Sequence, residues 1–121
     1  MSERGGRCRV FFAEDEPLVA MLVEDMLVEI GCDVATFALT GEDALRMARE
    51  AEFDVAMLDV NLDGETSYPA AEALRARGIP FIFATSYGVR GMNPAFADVP
   101  VLQKPFRKED LARLLQDIRA R

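Results

Sequence analysis

The sequence predicts an α/β domain built on a parallel sheet with helices on both faces. Three observations point there. Short apolar runs rich in strand formers alternate with amphipathic helical stretches about five times within 121 residues, the pattern that βαβ units produce. Residues 54–58, DVAML, form after the opening aspartate an apolar run with no polar alternation, as expected of a strand covered on both sides. Prolines near helix starts and glycines at helix ends punctuate the alternation. Parallel crossovers are nearly always right-handed, which leaves few topologies.

Residues 8–13, CRVFFA, read as the first strand. From Pro17 to Ile30 the period becomes helical: Val19, Leu22, Val23, Met26 and Ile30 share one stripe, Pro17 suits the first turn and Gly31 ends the element. Leu18, Met21 and Leu27 add further apolar positions, so the expectation is a broadly buried helix. Residues 33–37, DVATF, are the second strand, and Thr40-Gly-Glu-Asp43 is a capping-box signature opening a helix to about Glu50. After the strand at 54–58 comes a polar loop, DVNLDGETS, then a helix at about 68–77 that stops at Gly78. PFIFA (80–84) and VPVLQ (99–103) are the remaining strands. The last helix begins after Pro105, with Leu111, Leu114, Leu115 and Ile118 spaced i, i+3, i+4, i+7. Between the fourth and fifth strands the helical pattern fails. Gly88, Gly91 and Asn93-Pro94 interrupt it, and Gly and Pro cost about 1 and 3 kcal/mol relative to Ala inside a helix. Residues 88–98 are therefore expected to form a short, distorted or mobile helix.

Composition narrows the function. Half of the residues are apolar, enough for a real core, and the expectation is one domain over residues 1–121 without an output domain. No apolar run approaches the ~20 residues needed to span a bilayer, and the N-terminus lacks the apolar stretch of a signal peptide. The net charge is −7, with 21 acidic against 14 basic residues. Nucleic-acid affinity rests on clustered Lys and Arg against phosphates, so a DNA-binding role is disfavoured. Cys8 and Cys32 lie in apolar surroundings without CxxC or Cys/His spacing, which reads as two buried thiols in a reducing cytoplasm. There is no histidine, so Ser-His-Asp and Cys-His chemistry and a phosphohistidine-carrier role are excluded.

In open α/β sheets, ligands bind beyond the carboxyl ends of the strands. The first strand ends in Glu14-Asp15-Glu16, the third in Asp59, the fourth in Thr85-Ser86 and the fifth in Lys104-Pro105. Each has a plain explanation alone: acidic residues often start helices, and a lysine before proline is usually a loop residue. Four of five strands delivering such groups to one edge is harder to dismiss. Two carboxylates about 4 Å apart repel by roughly 4 kcal/mol at an effective dielectric near 20. A hard divalent cation relieves that repulsion, and carboxylate, carbonyl and water ligation suits Mg²⁺. With Lys104 beside it, such a site can accept a phosphoryl group, Thr85 donating a hydrogen bond. The nucleophile is then a carboxylate, since aspartate forms an acyl phosphate, and Asp59 is the central candidate.

The constellation Glu14-Asp15, Asp59, Thr85 and Lys104-Pro105-Phe106 resembles the receiver domain of bacterial two-component response regulators, over essentially the whole chain. The resemblance implies a flavodoxin-like (CheY-like) fold with strand order 2-1-3-4-5. It implies that Asp59 takes a phosphoryl group from a histidine kinase or histidine phosphotransfer protein, and that Asp15 and Asp59 ligate Mg²⁺ with the backbone carbonyl of Asn61, Glu14 acting through water. Thr85 would hydrogen-bond the phosphoryl oxygen and Lys104 would pair with it. FATSYG, DVNLDGETSYPAAEAL and VLQKPF resemble a narrower group, the FATGUY regulators, often paired with HWE-type histidine kinases. Receivers generally use the first helix for docking, so Leu18 and Met21 have a second reading as a face for a kinase's helical hairpin.

Three positions depart from the pattern. Ser86 replaces a glycine, Val101 stands where most receivers carry an aromatic switch residue, and Asp63 stands where proline is common. The loose segment at 88–98, with Tyr87, is then the candidate for what phosphorylation orders. Two rival readings are a receiver fold that binds partners without being phosphorylated and an Mg²⁺-dependent aspartyl phosphohydrolase. The second lacks the DxD spacing after Asp59, and the chain length leaves no room for a cap domain. As a stand-alone receiver the chain would act through contact with a downstream protein, or as a phosphate sink, with no role for nucleic acid or membrane.

Overall fold

The computed structural model describes residues 7–87 and 91–120. Its main sheet is laid down by β1 (Arg9–Ala13), β2 (Asp33–Ala38), β3 (Val55–Asp59), β6 (Phe81–Thr85) and β7 (Val101–Gln103), all parallel, in the order β2-β1-β3-β6-β7. Counting only these strands, that is the expected 2-1-3-4-5. The helices are α1 (Pro17–Glu29), α2 (Gly41–Glu50), α3 (Tyr68–Arg77) and α4 (Lys108–Arg119). Among the described residues no helix is long and apolar enough to cross a membrane.

β3 and β6 are buried from end to end and β1 everywhere but at Arg9, and the successive side chains of each feed two different cores. Phe11, Ala13, Ala56, Leu58, Phe81 and Phe83 point to one face, where Ala44 and Ala48 of α2 and Ala70, Ala71 and Leu74 of α3 meet them. Val10, Phe12, Val55, Met57, Ile82 and Ala84 point to the other, against Ala20, Val23 and Leu27 of α1 and Leu111, Leu115 and Ile118 of α4. Small residues let α2 and α3 lie close together. Arg77 fastens that contact, its guanidinium donating to the Ala48 and Ala51 carbonyls at 2.7 and 3.0 Å, groups that a helix C-terminus otherwise leaves unpaired.

The helix ends follow their local signals. The Thr40 hydroxyl accepts from the Asp43 N–H at 3.1 Å to start α2. Gly78, at φ 71°, ends α3 in the left-handed conformation. Asp110 accepts from the Arg107 N–H at 3.2 Å at the start of α4.

Two expectations need correction, and a third is met. First, α1 is not broadly buried. Its core face is Ala20, Val23 and Leu27, whereas Leu18 and Met21 are 76 % and 61 % exposed, as is Leu22 at 58 %. A sheet can cover only one side of a helix, and these residues project from the opposite side. Second, the polar loop after β3 contains a small hairpin, β4 (Asn61–Leu62) and β5 (Glu65–Thr66), turned through Asp63 and Gly64 at φ 53° and 86°. Two central residues at positive φ make the type I′ turn that Asp-Gly favours. Third, in place of a full helix before β7 there is a three-residue 3₁₀ turn, Pro94–Phe96, whose start is capped by Asn93 Oδ1 accepting from the Ala95 N–H at 2.9 Å. This matches the expected shortness and distortion for residues 91–98; residues 88–90 of that expectation lie outside the described residues.

Candidate functional site

The sheet ladder runs one step past the strands, and those steps fix the backbone of the site. The Glu14 N–H donates to the Ala38 carbonyl, the Val60 N–H to Ala84 and the Lys104 N–H to Thr85, at 2.9–3.1 Å. Glu14, Asp59 and Thr85 are buried there although all are polar, and Asp15 and Lys104 are half-buried. Buried polar side chains need partners, and they find one another. Lys104 Nζ donates to Glu14 Oε1 at 2.8 Å and to Asp59 Oδ2 at 2.7 Å. Glu14 Oε2 accepts from the Glu16 N–H at 3.0 Å, where the chain enters α1. Thr85 Oγ1 accepts from the Tyr87 N–H at 3.1 Å, which leaves its own proton available to donate. The Lys104–Pro105 peptide bond is cis.

Asp15 is oriented from outside the sheet. Its Oδ2 accepts from the Asp63 N–H at 2.8 Å, so the β4–β5 turn holds it. A proline at this position would have no such hydrogen to give. Carboxylate oxygens of Glu14, Asp15 and Asp59 lie within 4.8 Å of one another. Asn61 lines the same cleft, together with Ser86, Tyr87 and Phe106, and the cleft continues onto Val19, Leu22 and Met26 of α1.

Three carboxylates face one ammonium. Burial pushes the Asp59 carboxyl up to about 8; the Lys104 hydrogen bond pulls it down and the neighbouring Glu14 pushes it up again. Burial also works against the charge on Glu14, but its hydrogen bonds to Lys104, Asp59 and the Glu16 N–H together hold it below the usual carboxylate range. Lys104, opposed by burial, is held above the ordinary lysine range by Asp59 and Glu14. The site is short of positive charge, and burial raises the Asp59 carboxyl further. An oxygen-only donor set with a charge deficit is the chemistry that a hard divalent cation satisfies, so the acidic cluster is compatible with Mg²⁺.

All the candidate side chains (Glu14, Asp15, Asp59, Thr85 and Lys104) meet at this one edge, with Asn61 beside them. Two contributors were not anticipated. One is the Asp63 backbone N–H, which no side-chain motif announces, although the Asp-Gly pair marks its turn. The other is Tyr68, at the start of α3. Its hydroxyl accepts from the Asn93 N–H at 2.9 Å, and its ring stacks on Phe96 and meets the edge of Phe83. Val101 packs half-buried against the same apolar cluster. Ser86 and Tyr87 are exposed.

A family model described as Response regulator receiver domain matches residues 10–116. The transcriptional regulatory protein PdtaR of Mycobacterium tuberculosis is 30% identical over 107 residues, covering 85% of this chain and 52% of that protein. The chain spans about half the length of the curated relatives it matches. Among solved structures, SdrG from Sphingomonas melonis Fr1 has a TM-score of 0.82 and 40% identity, covering 95% of this chain and 98% of that one. The receiver domain of the sensor histidine kinase PA1611 from Pseudomonas aeruginosa PAO1, solved with a magnesium ion coordinated in its active-site cleft, has a TM-score of 0.83 and 28% identity, with 96% and 100% covered.

Proposed function

The chain belongs to the response regulator receiver domain family, and from that premise we propose that it accepts a phosphoryl group on Asp59 from a histidine kinase or histidine phosphotransfer protein. The observation that carries the proposal is Lys104 Nζ bridging Glu14 and Asp59 at 2.8 and 2.7 Å, beside the Thr85 hydroxyl at the next strand end. In the transfer, the P–N bond of the donor phosphohistidine breaks with its electron pair returning to the imidazole, and a P–O bond to the Asp59 carboxylate forms. Lys104, already in contact, meets negative charge on the transferring oxygens, and Thr85 donates its free hydroxyl proton to one of them.

Glu14, Asp15 and Asp59, with the Asn61 carbonyl, would hold Mg²⁺. When bound, the cation would offset the charge on the transferring group and on the three carboxylates. Receiver domains are signalling modules rather than enzymes, so the product is a phosphorylated surface rather than a released compound. Similarity to SdrG over 98% of that chain supports a stand-alone regulator, acting by contact with a downstream protein or as a phosphate sink. The FATGUY-like motifs favour an HWE-type kinase as donor. The apolar outer face of α1, continuous with the cleft through Leu22, suits a docked helical partner.

Incubation with acetyl phosphate and Mg²⁺ tests the proposal. One phosphoryl mass increment is expected on the wild type, none on Asp59→Asn and none with EDTA. An unmodified wild type that still binds its partners would make the chain a phosphorylation-independent binding module. Steady turnover of small phosphate esters would make it a phosphohydrolase.

A further inference from the structure

Cys8 and Cys32 lie at the end of the sheet opposite the site, and phosphotransfer makes no use of them. Cys8 directly precedes β1 and Cys32 directly precedes β2, and the first residues of those strands, Arg9 and Asp33, are register partners. The Asp33 N–H donates to the Cys8 carbonyl at 2.8 Å, holding the two backbones in step at the cysteines themselves. Neighbouring strands run about 4.8 Å apart, within the span of roughly 4.4–6.8 Å between Cα atoms that a disulfide bridges. Both side chains enter the same apolar cluster, with Leu27 and Ile118, and the two thiols are close enough to shift each other's ionisation.

Both thiols are buried, and Cys32, just ahead of the edge strand β2 and between the exposed Gly31 and Asp33, is the more accessible at 6 % against 2 % for Cys8. The neighbouring Cys8 thiol lowers the Cys32 pKa to about 7 against the effect of burial, helped by the Arg119 and Arg7 guanidinium groups and opposed by Asp33. Arg7 is fixed over this corner by a 2.8 Å bond to Asp33 and a 3.2 Å bond to the Cys32 carbonyl. Cys8 is held above the ordinary thiol range by Cys32 and by burial, with Asp54 adding to the rise. A low-pKa thiol beside a second thiol is the arrangement of an attacking and a resolving cysteine.

We propose that Cys8 and Cys32 are a reversible modification site, oxidised by a hydroperoxide to a disulfide that staples β1 to the edge strand β2. The Cys32 thiolate attacks the O–O bond, giving a sulfenic acid and, after protonation, water or an alcohol. The Cys8 sulfur then displaces the hydroxyl, forming the S–S bond and a second water. Two thiols lose two electrons and two protons, and the hydroperoxide takes them up. The closed loop contains β1, Glu14, Asp15 and the whole of α1, so the staple anchors the segment that carries two acidic residues of the site and its apolar outer face.

The reduced full-length protein, treated with hydrogen peroxide, is unfolded in urea and alkylated. The expected result is loss of both alkylatable thiols, loss of two hydrogens in intact mass, a Cys8–Cys32 linked peptide, and recovery of both thiols with dithiothreitol. Cys8→Ser should instead leave a sulfenic acid on Cys32 that dimedone traps. Two thiols still alkylatable after peroxide would overturn the proposal. So would a disulfide that joins two chains, or over-oxidation of Cys32 without a cross-link. The wild-type measurement needs no variant to fold.

Discussion

Among the described residues Lys104 is the one ammonium in contact with two buried carboxylates, and it cannot fully compensate both. The consequence falls on Asp59, whose carboxyl rises from 3.8 to about 8 chiefly through burial. Between those values the native state holds a proton that the unfolded chain has released. Stability therefore falls as pH rises through this window, and the contribution from Asp59 is fully present only below about pH 4. Asp59→Asn keeps the shape and removes the charge. In EDTA it should stabilise the protein by roughly 1–3 kcal/mol at pH 8 and much less at pH 4; urea unfolding at the two pH values measures this, and an equal gain at both would contradict it. That Glu14, Asp59, Thr85 and Lys104 converge was readable from the sequence, because a parallel strand's end can be located by where its apolar run stops. How Asp15 is held was not readable. Its partner is a main-chain N–H, made available because Asp63 accepts φ 53° and is not proline.

The two apolar faces of α1 show what pattern alone cannot decide. Ala20, Val23 and Leu27 and the exposed Leu18, Met21 and Leu22 all obey helical spacing. Only the neighbouring sheet determines which face is core, so a broadly buried helix was the expectation from the wheel and a docking face its alternative. The energetic difference should be plain. Leu27→Ala, fully buried, should cost about 2–5 kcal/mol, whereas Leu18→Glu or Met21→Glu should stay within about 0.5 kcal/mol in denaturant unfolding. The same two charge substitutions should slow phosphotransfer from a cognate kinase or phosphotransfer protein while leaving labelling by acetyl phosphate unchanged. Equal rates from the protein donor would remove the docking role. Elsewhere the elements were legible where one signal dominated: Pro69 and Gly78 bracket α3, and Thr40 caps α2. The β4–β5 hairpin went unread because two-residue strands carry no period. Its Asp63-Gly64 turn was the available sign.

At the scale of the whole molecule, one hydrogen bond holds the chain just past β6 and another holds the segment before β7, where Val101 supplies no aromatic. The strand order and the weakness of the segment were visible in the sequence. The joint was not, because Tyr68 reaches it from α3, 25 residues away from Asn93 along the chain. On the site side, Thr85 Oγ1 holds the Tyr87 N–H. On the far side, Tyr68 holds the Asn93 N–H while stacking on Phe96, whose ring lies 5.0 Å below the Arg75 guanidinium. A phosphoryl oxygen that draws the Thr85 hydroxyl toward Asp59 disturbs the first bond, and the displacement then meets a chain pinned by the second. Removing the pin should show its part. Tyr68→Phe keeps the ring and deletes one acceptor, a loss of about 0.5–1.5 kcal/mol that corresponds to roughly 2–10-fold faster amide exchange at Asn93 before phosphorylation. Phosphorylation of the wild type should alter exchange at Tyr87 and through 91–96, and in Tyr68→Phe the change at 91–96 should shrink while that at Tyr87 persists. Unchanged exchange at Asn93 in the variant, or an undiminished response at 91–96, would place the joint elsewhere.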